Sequence, residues 1–171
     1  MIFRKISISK VGTANVTYLD DDGNTVTVAG ANIVHEDFRR AMKNLVPHLA
    51  MLVEAREAIS DNLEDLNDLP NMSVVDVQIK GNDVTIRGTR LLQRGETISV
   101  VSPRIDIMDD IAEYPYRGEL QLAIDNVRFE AEAYITERKW AVMQKKIEFA
   151  DEEPFADVSP VEVASVEVQT A

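Results

Sequence analysis

The stretch "SVVDVQIKGNDVTIRGTRLLQRGETISVVS" (residues 73–102) decides how the rest of the chain is read. It is rich in valine, isoleucine and threonine, and two short segments that carry glycine, "KGND" and "QRGE", interrupt it. Branched side chains fit a pleated, half-buried surface, and glycine supplies the positive φ that tight turns need. The pattern predicts three strands, over 73–80, 83–91 and 96–102. Their short connections make them antiparallel neighbours.

The same plan is written once before this stretch. Residues 2–9 alternate, with Ile2, Ile6 and Ile8 in phase, and 14–19 and 24–29 are rich in Val, Thr and Tyr around the turn "DDDGN". A helix is expected next. Phe38, Met42, Leu45, Leu49 and Leu52 recur at helical spacing, while Arg39, Arg40 and Lys43 lie off that face. Pro47 predicts a kink or a break, because its ring removes a backbone donor and crowds the preceding turn. Helical propensity continues to about residue 66, where "NDLPN" ends it. After the second set of strands, Leu120, Ile124, Val127, Ala131 and Tyr134 mark a second amphipathic helix, and 140–149 alternates as a closing strand would.

The fold class expected is α+β: antiparallel sheets with two covering helices in the order βββα-βββα-β, a pattern open to a pseudo-twofold repeat. Residues 1–149 form one domain, divisible into halves 1–69 and 70–149. Residues 150–171 read as a flexible acidic tail, since they hold six acids, two prolines and no base. Within that tail the run "VEVASVEV" (161–168) could add an edge strand to another sheet.

Composition narrows the function. The chain has 171 residues, 45% of them hydrophobic and 28% charged, and a net charge of −12. That is a soluble globular composition, and it argues against an indiscriminate nucleic-acid coat, whose affinity comes from cations meeting phosphates. No apolar run is long enough to span a bilayer, and "MIFRKISISK" carries no secretory signal pattern, so a cytoplasmic protein without membrane contact is expected. Cysteine is absent, which removes disulfides, thiol nucleophiles and thiolate metal sites.

Asp20, Asp21 and Asp22 precede a glycine, but the distal glutamate of a calcium loop is missing: the position in question is Ala31. The better reading is a hairpin turn. His35 and His48 point in different directions on a helix and do not converge on one ion. No phosphate-binding loop, dinucleotide fingerprint or nucleophile elbow occurs, so no catalytic residue, metal or cofactor is assigned and a non-enzyme is expected.

Charge is unevenly spread, however. Residues 76–104 hold Lys80, Arg87, Arg90, Arg94 and Arg104 against Asp76, Asp83 and Glu96, five cations to three acids. These five are the candidate nucleic-acid contacts. In a regular strand Arg87 and Arg90 face opposite sides, and only a bulge or the turn would gather all of them. The absence of aromatic residues there weakens any surface built on base stacking.

Three segments, "VHEDFRRAMKNLVPHLAMLVE" (34–54), "GTRLLQRGETISVVSPRIDI" (88–107) and "YPYRGELQLAIDNVRFEAEAYI" (114–135), together resemble uncharacterised accessory proteins of bacteriophages and prophages. The resemblance implies a phage-encoded protein acting in a bacterial host. Separately, "DEEPF" (151–155) resembles the acidic tip with which single-stranded DNA-binding proteins recruit partners, although here Ala156–Ala171 follow it. That implies Asp151, Glu152, Glu153 and Phe155 as a partner-binding element. The expected function is an accessory role in DNA metabolism, binding single-stranded DNA or recruiting host repair and replication proteins. The alternatives are an acidic nucleic-acid mimic that inhibits a host defence enzyme, and a structural or assembly protein of the particle. A homo-oligomer is expected in each case.

Overall fold

Glycine turns and alternating strands generate a single sheet. The structure, a computed structural model, describes residues 1–55, 62–66, 69–109 and 114–141. The first half contributes β1 (Ile2–Ile8), β2 (Thr13–Leu19) and β3 (Thr25–Ile33), followed by α1 (Glu36–Lys43) and α2 (Val46–Leu52). The second contributes β4 (Met72–Lys80), β5 (Asp83–Leu91), β6 (Thr97–Val101), the short β7 (Ile105–Asp106) and α3 (Arg117–Glu132). The fold class is therefore α+β, with strands preceding helices in each half.

The sheet is antiparallel, with strand order β3-β2-β1-β4-β5-β6, and β7 pairs with β5 beside it. This order is a palindrome. Exchanging β1 with β4, β2 with β5 and β3 with β6 leaves it unchanged, and the antiparallel β1–β4 pair has the twofold symmetry that such an exchange requires. Ile6 opposite Val77 lies at its centre. The two halves share one sheet and do not form a sheet apiece.

One face of the sheet carries the core. Ile6, Val16, Val77 and Ile86 are fully buried beneath Phe38, Leu45, Leu49, Leu120 and Ile124 of the helices. All five apolar positions predicted for α3 and its continuation are buried, from Leu120 to Tyr134. The opposite face is polar, with Thr17 bonded to Thr27 across β2–β3 and Ser73 to Thr89 across β4–β5. A one-sided core is what an antiparallel sheet permits.

Pro47 breaks the first predicted helix rather than kinking it. α1 ends at Lys43, and α2 restarts at Val46 with Pro47 in its first turn, where the lost donor has no partner to miss. α2 ends at Leu52, and Glu54 turns the chain with φ 51°. Helix therefore does not continue as far as residue 66; Leu63–Leu66 is a single 3-10 turn. Lys139 ties α1 to α3, placing its Nζ 2.9 Å from both Asp37 Oδ2 at the start of α1 and Glu130 Oε2 on α3. This contact holds the Asp37 carboxyl below the usual carboxylate range and pushes the Lys139 ammonium up.

Of the predicted closing strand, Trp140 is bridged to Val34 and the Ala141 N–H donates to Ile33 O at 2.9 Å. The rest of that strand and the whole acidic tail lie outside the described residues.

Candidate functional site: a notch beside the central strands

The cationic groups expected to act together are dispersed. Arg87 lies on the polar face of β5, opposite Asp76, with its Nε 3.6 Å from Asp76 Oδ1. Arg90 is on the other face, beside Met72 and Ile98 in the register, as strict alternation requires. Arg94 is exposed in the β5–β6 turn. Arg104 Nε is 3.5 Å from Asp83 Oδ2, and Lys80 is opposite the same aspartate. The tail residues Asp151, Glu152, Glu153 and Phe155 lie outside the described residues.

A different group of cations surrounds a groove beside β4. β1 pairs with β4 only through Lys5–Gln78, Ile6–Val77 and Ser7–Asp76. Beyond Ser7, β1 stays with β2 and turns back through Ser9–Gly12, where Gly12 has φ 85°. β4 therefore extends from Met72 to Val75 with no strand paired on its β1 side among the described residues, and there the Met72 N–H donates to Leu69 O at 3.2 Å. A shift of register between Val74 and Asp76 leaves Val75 out of the β5 pairing and 38% exposed. The result is a notch in the middle of the sheet, opening into a groove of about 1080 Å³.

Its walls are unlike the rest of the molecule in charge. Among the described residues, Lys10 from the β1–β2 turn, Arg39 and Lys43 from α1, and Arg87 from β5 line it against one acid, Asp76. Asp76 is buried, and its Oδ1 accepts no hydrogen bond; Arg87 is the cation that faces it. On the helix side the wall is apolar, formed by Met42, Val46 and Met72. The floor dips at Gly88, because a side chain there would run into Ser73 O and Leu49 Cδ2. No aromatic residue is among those lining the groove.

The candidates set aside from the sequence behave as the chemistry of their surroundings dictates. Asp20 shapes the β2–β3 turn: its Oδ1 accepts from the backbone N–H groups of Asp22 (3.0 Å) and Asn24 (2.7 Å), which holds its carboxyl low. His35 caps α1, with Nδ1 accepting from the Asp37 N–H at 3.2 Å. His48 is buried, with its Nδ1 2.7 Å from the Tyr114 hydroxyl. Burial pushes the His48 imidazole down to about 4 and the Tyr114 phenol up. Among the described residues no group of three or more His, Asp or Glu side chains is arranged to hold a metal ion, and no helix is long and apolar enough to cross a membrane. Comparison with family models, curated proteins and solved structures finds no match to this chain.

Three of the four groove cations were missed in the sequence. Arg39 and Lys43 were legible as residues off the apolar face of α1, but nothing local indicated that this face looks onto a gap between β1 and β4. That gap exists only once strands about seventy residues apart have paired.

Proposed function

We propose that this protein is a non-enzymatic accessory protein of DNA metabolism, of the phage type, that holds single-stranded DNA in the notch and recruits host proteins through its acidic end. One observation supports the reading above the others. In a chain of net charge −12, a groove of about 1080 Å³ is lined, among the described residues, by four cations and one acid. A concentration of positive charge in a concave site focuses field and attracts an anionic chain despite an acidic surround. The lack of aromatic residues means that contact is made to the backbone, so binding tolerates sequence and weakens steeply with salt.

Titration of a fluorescein-labelled oligothymidylate at low salt tests this reading. Binding is expected, and the double variant Lys10→Ala/Arg39→Ala is expected to weaken it. Loss of two phosphate contacts should flatten the slope of log K against log salt by about 1.4, at roughly 0.7 per contact for a single strand. Arg94→Ala, in the β5–β6 turn, should leave the slope unchanged. Absence of wild-type binding at low salt refutes the nucleic-acid reading.

A further inference from the structure

The notch is also an interrupted β-sheet, and this has a consequence that does not depend on DNA. An unpaired strand edge presents a row of backbone donors and acceptors to any extended segment that reaches it. Here that edge is Ser73–Val75, since the Met72 N–H already donates to Leu69 O at 3.2 Å, with an apolar wall on the helix side and Arg87 on the other face. A strand added there needs apolar side chains on one face and acids on the other, since successive side chains alternate.

We propose that residues 161–168 of this same chain, "VEVASVEV", occupy the notch as an added strand against β4. The chemistry of the two parts matches. Each Val-Glu-Val triplet (161–163 and 166–168) carries two valines on one face and a glutamate on the other. The valines meet Met42, Val46 and Met72, and the glutamate meets Arg87, with Lys10 and Arg39 at the rim. The triplets are five residues apart and so out of phase. A three-residue edge takes one of them, and the Ala164–Ser165 step lies between them.

The length of chain after Ala141 allows this segment to reach the notch. The last described residue, Ala141, is bonded to Ile33 O and shares a surface depression with Arg39, itself a groove residue. From Ala141 to Val161 there are twenty residue steps, which span up to about 65 Å at roughly 3.3 Å each. The tail has six acids and no base from 151 onward, so the attraction to the groove is not offset by charge of its own. The docked segment covers the cations proposed above to meet DNA, and an anionic strand has to displace it.

The absence of cysteine makes the test direct. Full-length protein carrying Val75→Cys and Ala164→Cys is oxidised mildly, and the products are separated without reductant. The comparison variant pairs Ala164→Cys with Asn32→Cys, an exposed position on β3 close to where Ala141 joins. An intramolecular disulfide is expected to form at least about tenfold faster at Val75 than at Asn32, the ratio expected when one site holds the segment and the other meets it by diffusion. Adding Glu162→Lys and Glu167→Lys, or raising the salt, should reduce that advantage. Equal rates at the two sites overturn the proposal. So does a product that is only a disulfide-linked dimer, which would make a second copy the occupant. Because no nucleic acid is present, the result is independent of the oligothymidylate titration.

Discussion

His48 shows how a single side chain acquires its properties from its position. It stands in α2, buried, with Tyr114 at hydrogen-bond distance and the Glu119 charge acting weakly in the opposite direction to burial. Burial disfavours the imidazolium, so its pKa falls from 6.5 to about 4. The unfolded chain then binds a proton at higher pH than the folded one. Stability from this group is complete above about pH 6.5 and is lost as pH falls toward 4, by roughly 3 kcal/mol in all. Urea midpoints measured from pH 7 to pH 5 should fall for the wild type, and the decline should shrink in His48→Gln. An equal decline in both proteins would assign it to carboxylates instead. The sequence placed His48 on a helix, which the structure bears out. It could not supply Tyr114, because that partner arrives from 66 residues away.

At the scale of elements, most strands were legible because period-two alternation and glycine turns are local signals. The strands predicted at 73–80 and 83–91 differ from β4 and β5 by one residue at most. β7 escaped notice, since two residues are too few to show a period. So did the π-helical turn at Ala133–Glu137, which ends in Arg138 with φ 55°. The elbow between α1 and α2 was partly legible: Pro47 announced a break, and the apolar spacing carried through it. Leu45 occupies that elbow and is completely buried, packed with the core beneath both helices. Leu45→Ala should lower stability by about 2–5 kcal/mol, the range for deleting a buried leucine side chain. Pro47→Ala should give no stabilisation, whereas a proline in mid-helix would yield about 3 kcal/mol on removal. Denaturant unfolding of the two variants checks both statements. A clear gain from Pro47→Ala would mean that α1 and α2 are one strained helix.

For the whole molecule, the class of fold was legible and the site was not. Each half announces its own strands and helix, so α+β follows from local patterns summed along the chain. The groove is a property of how the halves meet. It needs β1 to leave β4 after Ser7, the α1 cations to lie above the gap, and Gly88 to lower the floor. The sequence drew attention to the arginine-rich second meander, whose charges are distributed over two faces, a turn and two aspartate partners.

The palindromic strand order also sets the order in which the molecule can assemble. Within each half, pairing joins strands separated by a few residues. The seam joins Ile6 to Val77, 71 positions apart (77 − 6), through three residue pairs. Closing a loop of that length in place of a four-residue turn adds about 2.5 kcal/mol of entropy cost, from a term of (3/2)RT ln n. The seam is therefore the topological bottleneck, and the folding rate should follow the stability of the seam more than that of the hairpins. Stopped-flow refolding can distinguish the two. Ile6→Val or Val77→Ala should slow folding in proportion to the stability lost, while Val26→Ala on the outer strand β3 should mainly speed unfolding. Reversed behaviour would place nucleation in the outer hairpins and make the joining of the halves a late, fast step.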